Sequence, residues 1–258
     1  MRMRIVPAAA GRGLQFHRTD QPAAPLTPAL LEQVSSTQRR TVLGHGRSSV
    51  ATVEHFLAAV YAAEIDDLTV EVDGPELPIL DGSFAPFMAL LQEAGERRRP
   101  GATRGLLLDR GFAVSDGESS YQVEPAAALS LRAVIQYAEP VIGRQSAELE
   151  VGADSFAQEC AGARTFGFEA EMESLRAGGL VAGATMDSAI LCSPTAVLNT
   201  TLRWPNEFAR HKLGDLLGDL ALLGVRPRVR ILAERPSHRG NLTCMRALAR
   251  AGRIVEDG

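Results

Sequence analysis

The segment NEFARHKLGDLLGDL, residues 206–220, predicts a helix with one charged face and one apolar face. His211, Asp215 and Asp219 follow one another at intervals of four residues, so at about 100° per residue they lie within roughly 80° of one another. Four leucines fall on the opposite side: Leu213, Leu216, Leu217 and Leu220. We therefore expect a helix from Glu207 to about Leu223 that packs its leucines inward and presents a His/Asp/Asp stripe to solvent or to a cleft.

The charged stripe has two interpretations. Histidine and aspartate one helical turn apart can bind the same metal ion, as paired side chains do on other zinc-binding helices. The alternative is an ordinary amphipathic helix whose polar face is solvated. The pattern of this helix alone does not distinguish the two interpretations, so evidence from other segments of the chain is needed.

A second candidate cluster precedes this helix in the chain, where Glu54 and His55 stand side by side. The apolar spacing around them predicts a helix from Val53 to about Ala63, with Thr52 as its N-cap. A zinc ion held by two histidines and one carboxylate keeps a fourth position open for water, and an unligated glutamate nearby can take a proton from that water. The alternative is a chance Glu-His pair on a helix face.

Two further segments offer polar groups that can reach such a site. His238 lies in SHRGN, which we predict to be a loop, with Asn241 capping a last helix from Leu242 to Ala251. Thr165 lies in the glycine-flanked bend GARTFGF, where a hydroxyl can donate to a developing oxyanion. The alternatives are a solvent-exposed histidine and an ordinary turn.

Composition and charge narrow the class of protein. The chain has 258 residues, 45% of them apolar, and a net charge of −4. These values favour one large core or two modest ones and argue against a chain built to coat nucleic acid or an anionic membrane. The three cysteines form no CxxC pair and predict reduced thiols, and we expect neither a signal peptide nor a membrane span. Of the 27 lysine and arginine residues one is a lysine, Lys212.

The remaining patterns predict two halves, each mixing sheet and helix without regular βα alternation. In the first half we expect strands at 1–5 and 14–18 that pair as a hairpin, a strand at 68–72, a shaped loop at 74–87 and a helix through Leu90 and Leu91. The polar stretch 92–104 is the predicted linker. In the second half we expect strands at 107–114, 121–123, 129–137, 147–151 and 229–233, and helices at 155–163 and 169–177.

Six segments, taken in chain order, resemble the successive motifs of one enzyme family. They are TVEHFLAAV, VDGPELPILDGSFAPF, ARTFGF, LRAGGLVAGATMDSAIL, NEFARHKLGDLLGDL and SHRGN. The family is the UDP-3-O-acyl-N-acetylglucosamine deacetylases, the zinc amidases of lipid A biosynthesis. The resemblance implies a hydrolase that removes an N-acetyl group, giving UDP-3-O-acyl-glucosamine and acetate in the committed step. The alternative is a divergent or non-catalytic homologue that binds a related nucleotide-sugar lipid.

The resemblance also implies a fold. We expect an α+β protein of two α/β sandwich domains, each a sheet packed against helices, with the active site at the domain interface. The domains would span residues 1–100 and 105–258, and an insert near 180–190 would build an acyl passage in the second. The family normally begins with a further strand carrying a GLHSG-type motif, and we expect the N-terminal domain to lack that strand.

The resemblance implies a role for each candidate group around the metal. His55, His211 and Asp215 would bind Zn²⁺, with Fe²⁺ as the alternative ion for ligands of this type. Glu54 would be the general base toward water. Thr165 would help to hold the oxyanion.

The remaining roles concern proton donation and substrate binding. His238 would be the general acid toward the departing amine, held by Asp219. Lys212 and Arg235 would meet the diphosphate, and Phe166 would also contact the substrate. The resemblance further implies a small-molecule substrate, no nucleic-acid partner, no integral membrane segment, a monomer and a cytoplasmic location.

Overall fold

The computed structural model describes residues 1–97, 103–171 and 188–257. The strands are β1 (Met3–Pro7), β2 (Leu14–Arg18), β3 (Thr27–Pro28), β4 (Val34–Ser36), β5 (Val42–Leu43), β6 (Val50–Ala51), β7 (Leu68–Val72), β8 (Thr103–Leu107), β9 (Phe112–Asp116), β10 (Ser119–Pro125), β11 (Ser130–Gln136), β12 (Arg144–Glu150), β13 (Phe166–Phe168), β14 (Ile190–Cys192), β15 (Arg226–Glu234) and β16 (Arg253–Asp257). The α-helices are α1 (Glu54–Ala62), α2 (Ala85–Ala94), α3 (Ala153–Glu159), α4 (Glu207–Leu220) and α5 (His238–Ala251). Among these described helices, none combines the length and the apolar character that crossing a bilayer requires.

The first sheet has the strand order β1-β7-β2-β3, which corrects the predicted hairpin of β1 and β2. β7 lies between them, antiparallel to β1 and parallel to β2. Alternate residues of β7 are buried, which suits an interior strand, whereas β1 carries the exposed Arg4 of an edge strand. Asp67 holds the connection across the end of β7, because its carboxylate accepts hydrogen bonds from the backbone N–H groups of Gly11 and Gly13 at 3.1 and 2.7 Å.

The second large sheet has the order β12-β11-β15-β10-β9, with β8 pairing to β15 and β16 to β8. The predicted strand 107–114 is wrong as a single element, since β8 ends at Leu107 and β9 begins at Phe112. β8 pairs with β15 and β9 pairs with β10, so the chain must turn between them. Gly111 lies at this turn, where a Cβ would stand 2.9 Å from the carbonyl oxygen of Val123.

A continuous core of buried apolar side chains connects the sheets and helices. α1 is buried along its whole length, and α4 packs against α1, β11 and β12. The two helices approach closely at Gly218, where a Cβ would lie 2.1 Å from the backbone oxygen of Glu54. Gly214 likewise admits the ring of Phe84, which would lie 2.2 Å from an added Cβ. The two glycines of α4 therefore let α1 and Phe84 reach the charged face of the helix.

The observed architecture confirms the predicted α+β class with sheets packed against helices. The strands of the first sheet lie within residues 3–72, and those of the second large sheet within 103–257. A domain boundary near residues 100–105 stays a prediction. Most of the predicted helix 169–177 and of the predicted insert 180–190 lies outside the described residues.

The start of α1 differs from the prediction. Its N-cap is Val53, and no side-chain cap is formed there. Thr52 adopts a left-handed conformation with φ of 57°, and its hydroxyl donates to the carboxylate of Glu76 at 2.6 Å instead. The helix therefore begins with Glu54 and His55 in its first turn, and His55 Nε2 lies 3.5 Å from Oδ1 of Asp215 on α4.

The start of α5 also differs, and the difference concerns a candidate site residue. His238 is the first residue of α5 rather than part of a loop, and Ser237 is the N-cap in place of Asn241. The Ser237 hydroxyl accepts a hydrogen bond from the backbone N–H of Gly240 at 3.2 Å, the interaction that makes serine a favoured N-cap. His238 is consequently fixed by a helix rather than mobile in a loop.

Candidate active site

Two helices bring together one group of residues able to hold a metal ion. His55 lies in the first turn of α1, while His211 and Asp215 lie one turn apart on α4. Their possible ligand atoms all lie within 4.8 Å of one another, and all three residues are buried. Asp215 Oδ1 is 3.5 Å from His55 Nε2 and 3.4 Å from His211 Nε2. These are the residues predicted as ligands.

The protonation of His211 suits a metal ligand. Its Nδ1 lies 3.1 Å from the carbonyl oxygen of Ala163, and because a carbonyl only accepts, Nδ1 carries the proton. The lone pair of the neutral ring is then on Nε2, which faces Asp215. Burial lowers the pKa of His211 to about 4, against the opposing charge of Asp215, so the ring is neutral at pH 7.

Asp215 supplies the anionic member of this group. Burial alone would raise the pKa of its carboxyl, but His211 and Lys212 outweigh burial and hold the pKa well below its usual range. Its Oδ2 accepts a 2.7 Å hydrogen bond from Lys212 Nζ. Its buried Oδ1 has no hydrogen-bond partner among the described residues, although two imidazole Nε2 atoms face it. An unshared carboxylate oxygen opposite a histidine lone pair is the arrangement a divalent cation fits, and the donor set matches zinc.

Glu54 precedes the candidate ligand His55 in the first turn of α1. Its Oε2 accepts a 3.1 Å hydrogen bond from the backbone N–H of Thr41, and its Oε1 lies 4.0 Å from His238 Nε2. The residue is buried, and burial raises the pKa of its carboxyl. A carboxylate with a raised pKa is a better proton acceptor than one in water.

His238 and Asp219 form a buried pair. The imidazole Nδ1 donates to Asp219 Oδ2 at 2.9 Å, which leaves Nε2 directed toward Glu54. Burial lowers the pKa of His238, but the charge and hydrogen bond of Asp219 outweigh burial and raise the pKa to about 9. His238 is therefore a cation at neutral pH.

Two residues that the sequence did not identify as part of the site complete the surroundings of Asp219. Thr41 donates its hydroxyl hydrogen to Asp219 Oδ1 at 2.6 Å, and Asn241 donates from Nδ2 to Asp219 Oδ2 at 2.8 Å. Thr41 therefore contacts both Asp219 and Glu54. Because Thr41 lies in a separate loop of the chain, local sequence patterns carry no signal for this contact.

Three further residues are predicted on the substrate side: Phe166, Thr165 and Arg235. The Phe166 ring lies 6.2 Å from that of His211, at the start of β13. Thr165 precedes it and is held through its backbone, since its N–H donates to the oxygen of Gly82 at 2.8 Å. Arg235 is exposed, with a left-handed φ of 50°.

Lys212 is paired with a buried carboxylate. Its ammonium group contacts Asp215 rather than lying free for an anionic ligand. Burial lowers the pKa of Lys212, but Asp215 outweighs burial and raises it above the ordinary value. A contact of Lys212 with a diphosphate stays a prediction.

Comparison with known protein families identifies the family of this chain. The protein-family model described as UDP-3-O-acyl N-acetylglycosamine deacetylase matches residues 1–250. The chain belongs to this family. The match confirms the resemblance inferred from the six sequence segments.

Curated relatives of the family agree with this assignment. A UDP-3-O-acyl-N-acetylglucosamine deacetylase of Anaeromyxobacter dehalogenans (strain 2CP-C) is 41% identical over 92% of this chain and 77% of its own length. Proteins of the same name from Myxococcus xanthus (strain DK1622) and Thermosynechococcus vestitus (strain NIES-2133 / IAM M-273 / BP-1) are 42% and 40% identical, over 84% and 95% of this chain and 70% and 85% of their own lengths.

Proposed function

We propose that this protein hydrolyses the N-acetyl group of UDP-3-O-acyl-N-acetylglucosamine, giving UDP-3-O-acyl-glucosamine and acetate in lipid A biosynthesis. The observation that carries the proposal is the buried His55, His211 and Asp215 group with Glu54 and His238 beside it. Family membership and the names of the curated relatives support it. The complete set of buried polar groups disfavours a non-catalytic homologue.

His55, His211 and Asp215 would hold the metal, which we propose to be Zn²⁺, with Fe²⁺ as the alternative. Their two nitrogens and one carboxylate oxygen match the ligand sets of catalytic zinc sites. When bound, the cation would act as a Lewis acid at the amide carbonyl and lower the pKa of the attacking water. Ala163 and Lys212 would keep the histidine and the carboxylate in their ligating forms.

Glu54 would take the proton of the attacking water. The Thr41 N–H holds its Oε2, so Oε1 is the oxygen available for this transfer. Burial, which raises the pKa of Glu54, strengthens it as a base. Glu54 Oε1 and His238 Nε2 lie 4.0 Å apart, so the base and the acid would act on the same substrate amide.

His238 would give a proton to the departing amine. Asp219 fixes the Nδ1–H and so directs the acidic Nε2–H toward the site. The raised pKa near 9 keeps this proton in place at neutral pH. An amine leaves an amide far more easily once its nitrogen is protonated, which is the step a cationic imidazole assists.

Four residues would contact the substrate. Thr165 would donate to the oxyanion, and Phe166 would supply apolar contact close to His211. Arg235 and Lys212 would attract the diphosphate. A nucleotide substrate and three buried free cysteines support a cytoplasmic location.

The test is acetate release from the acylated nucleotide sugar, measured with metal content on the same samples. Glu54→Gln should lower kcat by about 100-fold or more, since it removes the base without removing a ligand. Glu32→Gln, an exposed glutamate in a surface turn, should leave kcat unchanged. Stoichiometric zinc without acetate release by the wild type would overturn the proposal, and release that Glu54→Gln leaves unchanged would remove Glu54 from the role of base.

A further inference from the structure

One buried ion pair beside the candidate metal site has no role in the proposed chemistry. Arg164 Nε donates to Glu207 Oε1 at 2.8 Å, and Arg164 Nη2 donates to Glu207 Oε2 at 3.2 Å. The Glu207 side chain is fully buried and that of Arg164 is 10% exposed. Removing two such charges from water is unfavourable unless their hydrogen-bonding groups are satisfied. A buried ion pair at this place therefore indicates a structural or functional role.

The hydrogen bonds of the pair are satisfied by nearby backbone and hydroxyl groups. Arg164 also donates to the hydroxyl of Thr200 at 2.8 Å and to the carbonyl oxygen of Thr201 at 2.7 Å. Glu207 also accepts from the backbone N–H groups of Arg164 and Arg203 at 3.1 and 2.5 Å. The pair is therefore a rigid unit that fastens the chain at Arg164 to the first turn of α4.

The peptide group between Ala163 and Arg164 connects this unit to the metal site. Its N–H donates to Glu207, and its carbonyl oxygen faces Nδ1 of His211. In a trans peptide the N–H and the carbonyl point in opposite directions within one plane, and no cis bond occurs among the described residues. Glu207 and His211 lie one turn apart on α4, so the peptide lies along the helix with one end on each.

We propose that Glu207 and Arg164 are positioning residues: they clamp the Ala163–Arg164 peptide so that its carbonyl holds His211 in the orientation and tautomer that leave Nε2 free for the metal. The inference rests on the proposed metal site. A hydrogen bond to the second nitrogen of a ligating histidine sets its ring orientation and tautomer, and losing such a partner lowers metal affinity about 10–100-fold.

The test is Zn²⁺ affinity, measured by competition with a chelating indicator on the metal-free protein. Glu207→Gln removes the charge that holds the guanidinium, and Arg164→Lys keeps the charge but loses the two-pronged contact. Both should raise the Kd about 10–100-fold. The matched control is Arg18→Lys, because Arg18 at the end of β2 makes a similar two-pronged contact with Asp20 and should leave the Kd within twofold.

Nuclear magnetic resonance of the ¹⁵N-histidine-labelled, metal-free protein reports the tautomer of His211 directly. His211 should carry its proton on Nδ1, and Glu207→Gln should populate the Nε2–H tautomer. A wild-type Nε2–H tautomer overturns the inference, as does an unchanged Kd in the folded variants accompanied only by a lower melting temperature. If the wild type binds no zinc, the proposed metal site fails instead, and the tautomer still tests the clamp.

Discussion

Among single residues, the pair of His238 and Asp219 leads to a prediction about the pH dependence of activity. Asp219→Asn removes the charge that raises the pKa of His238 to about 9, so the basic limb of kcat/KM should move from near pH 9 to 6.5 or below. Acetate release measured from pH 5 to 10 checks this. The exposed variant Asp20→Asn serves as control, and a basic limb unchanged by Asp219→Asn would remove His238 from the role of acid.

The same pair links pH to folding. The folded pKa of about 9 exceeds the ordinary value of 6.5, so protonated His238 stabilises the folded chain fully below pH 6.5. This contribution is lost as the pH rises through 9. The sign follows from the folded state binding its proton more tightly than the unfolded chain does.

Thr41 makes a second prediction at this scale. Thr41→Val removes the hydroxyl that donates to Asp219 but leaves the backbone N–H that donates to Glu54. An unpaired oxygen of a buried carboxylate costs about 1–3 kcal/mol of stability, and we expect kcat to fall about tenfold with KM within twofold. Thr41→Ser should restore both, because it keeps the donor. Steady-state kinetics and urea unfolding measure these effects, and equal kcat values for the valine and serine variants would contradict the prediction.

At the scale of elements, the crossing of α1 and α4 depends on Gly218. Gly218→Ala places a Cβ 2.1 Å from the backbone oxygen of Glu54. Two atoms that are not bonded cannot lie that close, so the helices must separate. We expect a loss of about 1–3 kcal/mol in the free energy of unfolding and weaker zinc binding, because each helix carries proposed ligands. Denaturant unfolding and zinc titration measure these.

The control for Gly218→Ala is Gly167→Ala. Gly167 has open space at its Cβ position and needs no left-handed conformation. Its substitution should leave stability within about 0.5 kcal/mol. Similar losses in both variants would show that the close helix crossing is not the cause.

The elements also show how far local pattern predicts structure. The helical spacing of α4 predicts His211, Asp215 and Asp219 on one face, and the structure agrees. The predicted hairpin of β1 and β2 is wrong because alternation identifies a strand but not its neighbours. β7, which comes much later in the chain, lies between them. The predicted start of α5 is wrong because Ser237 and Asn241 are both favoured N-cap residues. Asn241 instead hydrogen-bonds with Tyr121 and Asp219.

At the scale of the whole molecule, the metal should stabilise the fold. The proposed ligands come from α1 and α4, so an ion bound only by the folded chain would join two helices from distant parts of the sequence. At about 100 times its Kd, Zn²⁺ should add about 2.7 kcal/mol, or roughly 5–10 °C in melting temperature. Scanning calorimetry with and without zinc measures this.

His55→Ala should abolish most of the zinc-dependent increase in melting temperature, because it removes one of the three proposed ligands. Asp20→Ala, just beyond the end of β2 and outside the ligand group, should retain it. An equal increase in His55→Ala would mean that zinc binds elsewhere.

Local patterns in the sequence are enough to predict the α+β class and the amphipathic α4 with its charged face, and the sequence motifs identify the family and the candidate ligands. These follow from local periodicity and from side-chain chemistry, which need no knowledge of distant contacts. Three features are visible only in the tertiary structure. They are the strand order, the contacts of Thr41 with Glu54 and Asp219, and the hydrogen bond from the Ala163–Arg164 peptide to Glu207. Each of these joins groups far apart in the chain, and their distances are set by the packing of the whole core rather than by neighbouring residues.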